Sequence, residues 1–146
     1  MAKVTKKKLI EELNKDLEWE SAAAIQYVQH AAVMTGPEYE GIIKELVIHA
    51  NEEMAHAVTV AEQISFLGGT PTIDVERVET SANSKTMLKQ DMAGEDNAIT
   101  RYKERIGQAE LLGEYGLRRI LEDILMQEEE HKRDIQTALG LQRPGL

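Results

Sequence analysis

Four glutamates and two histidines stand in a doubled pattern along this chain. A displacement of 75 residues carries Glu20 onto Glu95, Glu53 onto Glu128 and His56 onto His131, and also Tyr27 onto Tyr102 and Asp16 onto Asp91. Each half therefore supplies a Glu followed 33 residues later by Glu-x-x-His. Repetition alone argues only for a duplicated fold unit. The repeated residues, however, are carboxylates and imidazoles, a donor set suited to two first-row metal ions. Two divalent cations against four glutamates bring the formal charge to zero, and neutral imidazoles add nitrogen donors without disturbing that balance.

These residues can meet only if helices carry them inward. Proline and glycine are few and clustered, and the sequence between the clusters repeats with helical period. The first predicted helix runs from an N-cap at Thr5 to Met34 and is closed by Gly36. The second starts at Pro37 and ends before Gly68-Gly69. The third begins after Ser84 and stops near Gly113; the fourth runs from Glu114 or Tyr115 to Leu139, with Gly140 as its terminator. Strand-like alternation is confined to a short, weak stretch from Thr72 to Val78. The fold class is all-α, a four-helix bundle in one domain covering residues 1–146.

Short connections make the first and second helices, and the third and fourth, antiparallel hairpins. The connection from Gly68 to Asn83 is long enough to cross the bundle: its residues reach about 55 Å extended, against about 42 Å for a helix of roughly 28 residues. The second and third helices then run parallel, and a two-fold axis perpendicular to the bundle relates the halves.

The inward stripes step by three or four. They read Leu13, Leu17, Glu20, Ala24, Tyr27, Ala31 on the first helix and Ile42, Leu46, Glu53, His56, Val60, Ile64 on the second. The third gives Leu88, Met92, Glu95, Ile99, Tyr102, Ile106 and the fourth Leu117, Leu121, Ile124, Glu128, His131, Ile135. Every stripe places a Glu where the core should be. Unpaired buried carboxylates cost several kcal/mol each, so they must be protonated or neutralised by cations. Glu and His at i, i+3 share a helix face and can reach one centre.

Composition narrows the field. Without cysteine there are no disulfides, thiolate metal sites or thiol nucleophiles, which agrees with a reducing cytoplasm. A net charge of −9 disfavours nucleic acid as a partner. No apolar run approaches the ~20 residues of a membrane span, and the basic cluster Lys6-Lys7-Lys8 is not followed by the apolar stretch of a signal peptide.

The quoted residues resemble the ligand pattern of ferritin-like di-iron carboxylate proteins, a pattern general to that class of bundles, and among them bacterioferritin most. Glu20-Ser-Ala-Ala-Ala-Ile-Gln-Tyr27-Val-Gln-His30, Asn51-Glu-Glu53-Met54-Ala-His56-Ala and Glu128-Glu-Glu-His131 look like its first, second and fourth helices, and the similarity runs from Leu9 to Leu139. The resemblance implies a ferroxidase centre of two iron ions held by Glu20, Glu53, His56, Glu95, Glu128 and His131. Glu53 and Glu128 would bridge the irons, and each His would cap one. It implies oxidation of Fe(II) by O2 or H2O2 and storage of ferric mineral inside a homo-oligomer built from dimers, with a closed shell as its fullest form. Met54 matches the methionine that binds haem between two subunits, although methionine also fills ordinary interfaces. Tyr27 and Tyr102 are read either as hydrogen-bond donors that orient ligand carboxylates or as amphipathic residues finishing the core.

One feature departs from the family. Gly140-Leu-Gln-Arg-Pro144-Gly-Leu146 leaves no room for a short fifth helix, which leaves open a smaller shell, a lone dimer or a differently closed cage. His30 and His49 fall outside the ligand pattern and are read as packed or partly exposed, with His49 placed to assist metal uptake. Two other classes fit the residues: a di-iron redox enzyme of rubrerythrin or oxidase type without mineral storage, and a structural bundle holding zinc or manganese.

Overall fold

The computed structural model describes residues 3–141. It contains four long helices: α1 (Lys6–Val33), α2 (Glu40–Phe66), α3 (Ser84–Leu111) and α4 (Tyr115–Ala138). No strand occurs among the described residues, so Thr72–Val78 is part of an irregular connection. The expected absence of a fifth helix concerns a tail that lies mostly outside the described residues.

The helix starts have separate local causes. Thr5 Oγ1 accepts from the Lys8 amide at 3.1 Å, and Asn83 Oδ1 accepts from the Thr86 amide at 2.9 Å, capping α1 and α3. Pro37 does not open α2 as expected. It begins a 3-10 turn, Pro37–Tyr39, and the α-helix follows at Glu40. A fixed proline φ fits either helix type, so the residue marks the start without choosing the ladder. Gly36 at φ 120° and Gly113 at φ 72° turn the chain within each hairpin, a backbone region costly for residues bearing a Cβ.

Contacts along the helices fix the topology. Asp16 meets Arg105 while His30 meets Asp91, so α1 and α3 are antiparallel. His49 meets Asp134 while His56 meets Gln127, so α2 and α4 are antiparallel too. With α1 and α2 forming a hairpin, α2 and α3 run parallel, as the long connection requires. That connection is laid along α1. Asn14 Nδ2 donates to the Thr70 carbonyl at 3.1 Å, the Thr72 amide donates to Asn14 Oδ1 at 2.8 Å, and the Glu79 amide donates to Gln26 Oε1 at 2.9 Å.

Two apolar clusters bracket the middle of the bundle. One is built around Leu9, Leu13, Ile64, Leu117 and Leu121, the other around Tyr27, Leu46, Met87, Leu88 and Ile135. The stripes on α2 and α4 are buried throughout. On α1 only Ala31 is partly exposed. On α3 the reading needs correction: Met92, Ile99 and Ile106 are half-buried, and the interior line is Asp91, Glu95, Ala98, Tyr102, Arg105 and Ala109. Polar partners on α1, Gln26 and His30 for Asp91 and the carboxylates Asp16 and Glu12 for Arg105, draw these two residues inward, which hydropathy alone does not show. No helix among the described residues is long and apolar enough to cross a membrane.

Candidate metal centre

Between the two apolar clusters the six predicted residues converge. Glu20, Glu53, Glu95, Glu128 and His131 are at most 2 % exposed, and His56 is 4 % exposed. One atom each from Glu20, Glu53, His56 and Glu128 falls within 4.8 Å of the others, and the same holds for Glu53, Glu95, Glu128 and His131. The two sets share Glu53 and Glu128. Each could hold one cation, and the shared carboxylates lie where both would be reached.

The side chains point in the manner of donors. His56 Nε2–H donates to the Gln127 side-chain oxygen on α4, which turns Nδ1 inward. That nitrogen is 3.2 Å from Glu128 Oε1 and 3.5 Å from Glu20 Oε2. His131 repeats the arrangement: Nε2 faces Glu52 Oε2 at 3.4 Å, while Nδ1 is 2.8 Å from Glu53 Oε1 and 3.4 Å from Glu95 Oε1. Yet Glu20 Oε2, Glu53 Oε1, His56 Nδ1, Glu95 Oε2 and Glu128 Oε1 are all buried without an oriented hydrogen bond. Atoms that approach closely but do not satisfy one another are suited to a shared positive centre. The donor set fits hard or borderline divalent ions, iron among them.

Electrostatics agree with crowding. Burial first, then Glu128, Glu20 and Glu95, pushes the Glu53 carboxyl well above its usual range. Burial and Glu128 raise Glu95 to about 8. Burial would also raise Glu20, but hydrogen bonds with His56 and Glu53 outweigh it and hold that group at about 2. For His56 the desolvation that lowers an imidazole is overcome by Glu128 and Glu20, to about 11; for His131 it is overcome chiefly by Glu95, to about 9. Without cations, the site balances its charge with protons.

Both tyrosines donate to glutamates, and each does so across the bundle. Tyr27 Oη on α1 donates to Glu95 Oε1 on α3 at 2.6 Å, and Tyr102 Oη on α3 donates to Glu20 Oε1 on α1. Burial and the neighbouring carboxylates keep both phenols protonated well beyond their ordinary range. A cleft of about 330 Å³ between α1 and α3 is lined by Trp19, Tyr27, Glu95, Arg101 and Glu128 among others.

Sequence reasoning named Asp16, Asp91, His30 and His49 but gave none of them a partner, and they belong to three supporting groups. Asp16, fully buried, is held by Arg101 Nη1 and Arg105 Nε, both at 2.7 Å. Asp91 accepts from Gln26 Nε2 at 2.9 Å and meets His30 Nδ1 at 3.0 Å. The repeat held a signal for these, since 75 residues also separate Gln26 from Arg101 and His30 from Arg105. The third group surrounds His49, which is 1 % exposed and stacked on His131 with ring centroids 4.0 Å apart. Met54, outside the ligand pattern, is 51 % exposed on α2.

Comparison with known proteins agrees with this geometry. A ferritin-like domain model matches residues 10–143. Bacterioferritin from Brucella melitensis is 32% identical over 135 residues, covering 92% of this chain and 84% of that protein. A ferritin-like di-iron carboxylate protein of Bacillus anthracis superposes with a TM-score of 0.89 at 34% identity, covering 95% of this chain and 99% of that one. The dodecameric thioferritin of Bacteroides fragilis, a bacterioferritin-related protein, gives a TM-score of 0.87 at 32% identity, over 94% of this chain and 88% of that one. The chain belongs to the ferritin-like family and has bacterioferritins among its relatives.

Proposed function

We propose that the chain is a ferroxidase that oxidises Fe(II) at a dinuclear centre inside the bundle, for iron storage and detoxification. The observation carrying this is the pair of overlapping donor sets, buried and sharing Glu53 and Glu128. Glu20, Glu53 and His56, and Glu95, Glu128 and His131, are the proposed ligands. Fe(II) is the substrate. Two ions together deliver two electrons, which with two protons take O2 to H2O2 or H2O2 to water. Carboxylate oxygens favour the ferric product by matching its higher charge. Tyr27 and Tyr102 hold Glu95 and Glu20 in place, so the ligands need little rearrangement when iron arrives. The cleft between α1 and α3 supplies a route for a small oxidant.

Storage needs an enclosed volume, and the proposal therefore includes a homo-oligomer of single-domain subunits. Ile25 and Val28 on α1, and Val47, Met54 and Val58 on α2, are exposed apolar residues available to such contacts. The thioferritin relative is dodecameric. Haem would sit between two copies: Met54 offers one thioether, and the second copy would supply the opposite ligand. A cytoplasmic setting fits the absence of cysteine.

Glu53→Ala or Glu128→Ala is expected to abolish rapid Fe(II) oxidation while the far-UV circular dichroism stays helical. Wild-type oxidation rates in either variant refute the site. Native mass and the iron-to-protein ratio after aerobic Fe(II) addition separate storage, with many ferric ions per subunit, from a di-iron enzyme holding about two.

A further inference from the structure

Against the His131 side of the centre lies another group of donors. Glu45, His49 and Asp134 each offer one atom within 4.8 Å of the others. His49 Nε2 is 3.1 Å from Asp134 Oδ2, and its Nδ1 is buried without any hydrogen-bond partner. Glu45 is half-buried and the Asp134 side chain is 34 % exposed, so the group opens to solvent on one side and touches the centre on the other. Its inward wall is His131, whose outer nitrogen faces Glu52.

The 75-residue repeat gives an internal control. Glu45, His49 and Asp134 correspond to Ile120, Ile124 and Thr59. The other half builds the same helices with two isoleucines and a threonine, so packing alone does not require these donors. Their grouping also carries a cost. A neutral imidazole has a single N–H, which can satisfy one carboxylate but not two, and placing the second so near adds like-charge repulsion. A divalent cation answers all three groups at once, with water completing its coordination on the open side.

We propose that Glu45, His49 and Asp134 form a third, mononuclear site for a first-row divalent cation, exchanging with solvent and adjoining the dinuclear centre. Two carboxylate oxygens and one imidazole nitrogen suit Fe(II), Mn(II) or Zn(II), held less tightly than ions enclosed by the centre. Binding at the triad depends only on these three residues. Its role as a staging point for iron rests on the ferroxidase reading above.

The test is Zn(II) binding to the intact metal-stripped assembly, by equilibrium dialysis, together with anomalous diffraction from Zn(II)-soaked crystals. Wild type is expected to hold one ion for each of the three donor groups, with an anomalous peak among Glu45, His49 and Asp134. Glu45→Gln with Asp134→Asn should lose that peak and one ion per chain while the central pair remains. Glu45→Ile, His49→Ile and Asp134→Thr together copy residues the other half already accommodates, and should do the same. No peak at the triad in wild type, or a third ion that persists in both variants, overturns the proposal. An ion at the triad with none at the centre would sustain this site and sink the dinuclear reading; two central ions with an empty triad would do the reverse.

Discussion

The two halves of the chain agree at the centre and diverge one layer out. Glu20, Tyr27, Glu53 and His56 have identical counterparts in Glu95, Tyr102, Glu128 and His131. The residues behind them do not: Gln127 stands behind His56 and Glu52 behind His131, while Arg101 and Arg105 hold Asp16 where Gln26 and His30 hold Asp91. The contrast separates two kinds of requirement. A donor proposed to hold metal would have to be one particular atom type at one place, which would make both halves use the same residue. A pin between α1 and α3 needs only some donor to face a buried aspartate, and guanidinium or imidazole and amide serve equally as geometry. They do not serve equally as energy.

The largest expected difference follows from that. Asp16 is fully buried and Arg105 is 4 % exposed, with Glu12 and Gln108 completing the network. Arg105→Ala leaves a buried carboxylate with Arg101 alone and should destabilise the metal-free protein by about 3–5 kcal/mol. His30→Ala leaves Asp91 with Gln26 and should cost about 1–3 kcal/mol. Urea unfolding midpoints at unchanged slope would measure both. Equal losses would break the comparison, because the two pins would then be interchangeable in strength as well as in place.

The same network explains where sequence reading succeeded. Glycine at φ 120° and 72° in the hairpin turns marked the helix limits well, and Glu-x-x-His on apolar stripes marked the centre. Repeating positions placed Glu20 and Glu95 correctly because their neighbours Leu17, Ala24 and Ala98 are buried too. Arg105 and Asp91 were not legible as interior residues. A charged side chain reads as solvent-facing until its partner is known, and those partners lie 89 and 61 residues away in the chain. For the same reason the α3 stripe was drawn one position off, through Met92, Ile99 and Ile106. For Tyr27 and Tyr102 the sequence left donor and core filler both open; the structure makes both of them donors, each to the glutamate of the opposite helix rather than its own.

A second contrast concerns protons. At neutral pH Glu20, at about 2, is already ionised, so a cation at the His56 position must displace the proton of His56, at about 11. At the His131 position it must displace protons from both Glu95, at about 8, and His131, at about 9. Groups raised in this way hold protons below their pKa, so cation affinity is lost as pH falls. Glu53, raised as well, gives up its proton to a cation at either position, so below pH 8 the loss per pH unit should be about tenfold steeper at the His131 position than at the other, one power of ten for the extra proton displaced. Zn(II) titrations at pH 6, 7 and 8, with Glu20→Gln and Glu95→Gln each weakening one position, would give the two slopes. Parallel slopes would mean that the halves share their protons through Glu53 rather than holding them separately.

The smallest difference lies at the helix starts. The first helix of each half begins with a side-chain cap, Thr5 on α1 and Asn83 on α3, whereas α2 and α4 begin without one. The second helix of each pair follows a tight turn whose hairpin partner already fixes its direction. The third helix emerges from the long connection, and its free amides need a local acceptor. Asn83→Ala removes the acceptor for the Thr86 amide and should cost about 1 kcal/mol. Ser84 next to it is tied to the other hairpin, its hydroxyl donating to the Thr35 carbonyl at 2.8 Å and accepting from the Thr35 amide at 3.1 Å. If that link, rather than the cap, sets the start of α3, then Ser84→Ala will shift the unfolding midpoint more than Asn83→Ala. If the cap sets it, the order will be the opposite, and hydrogen exchange of the Thr86 amide will rise only in Asn83→Ala.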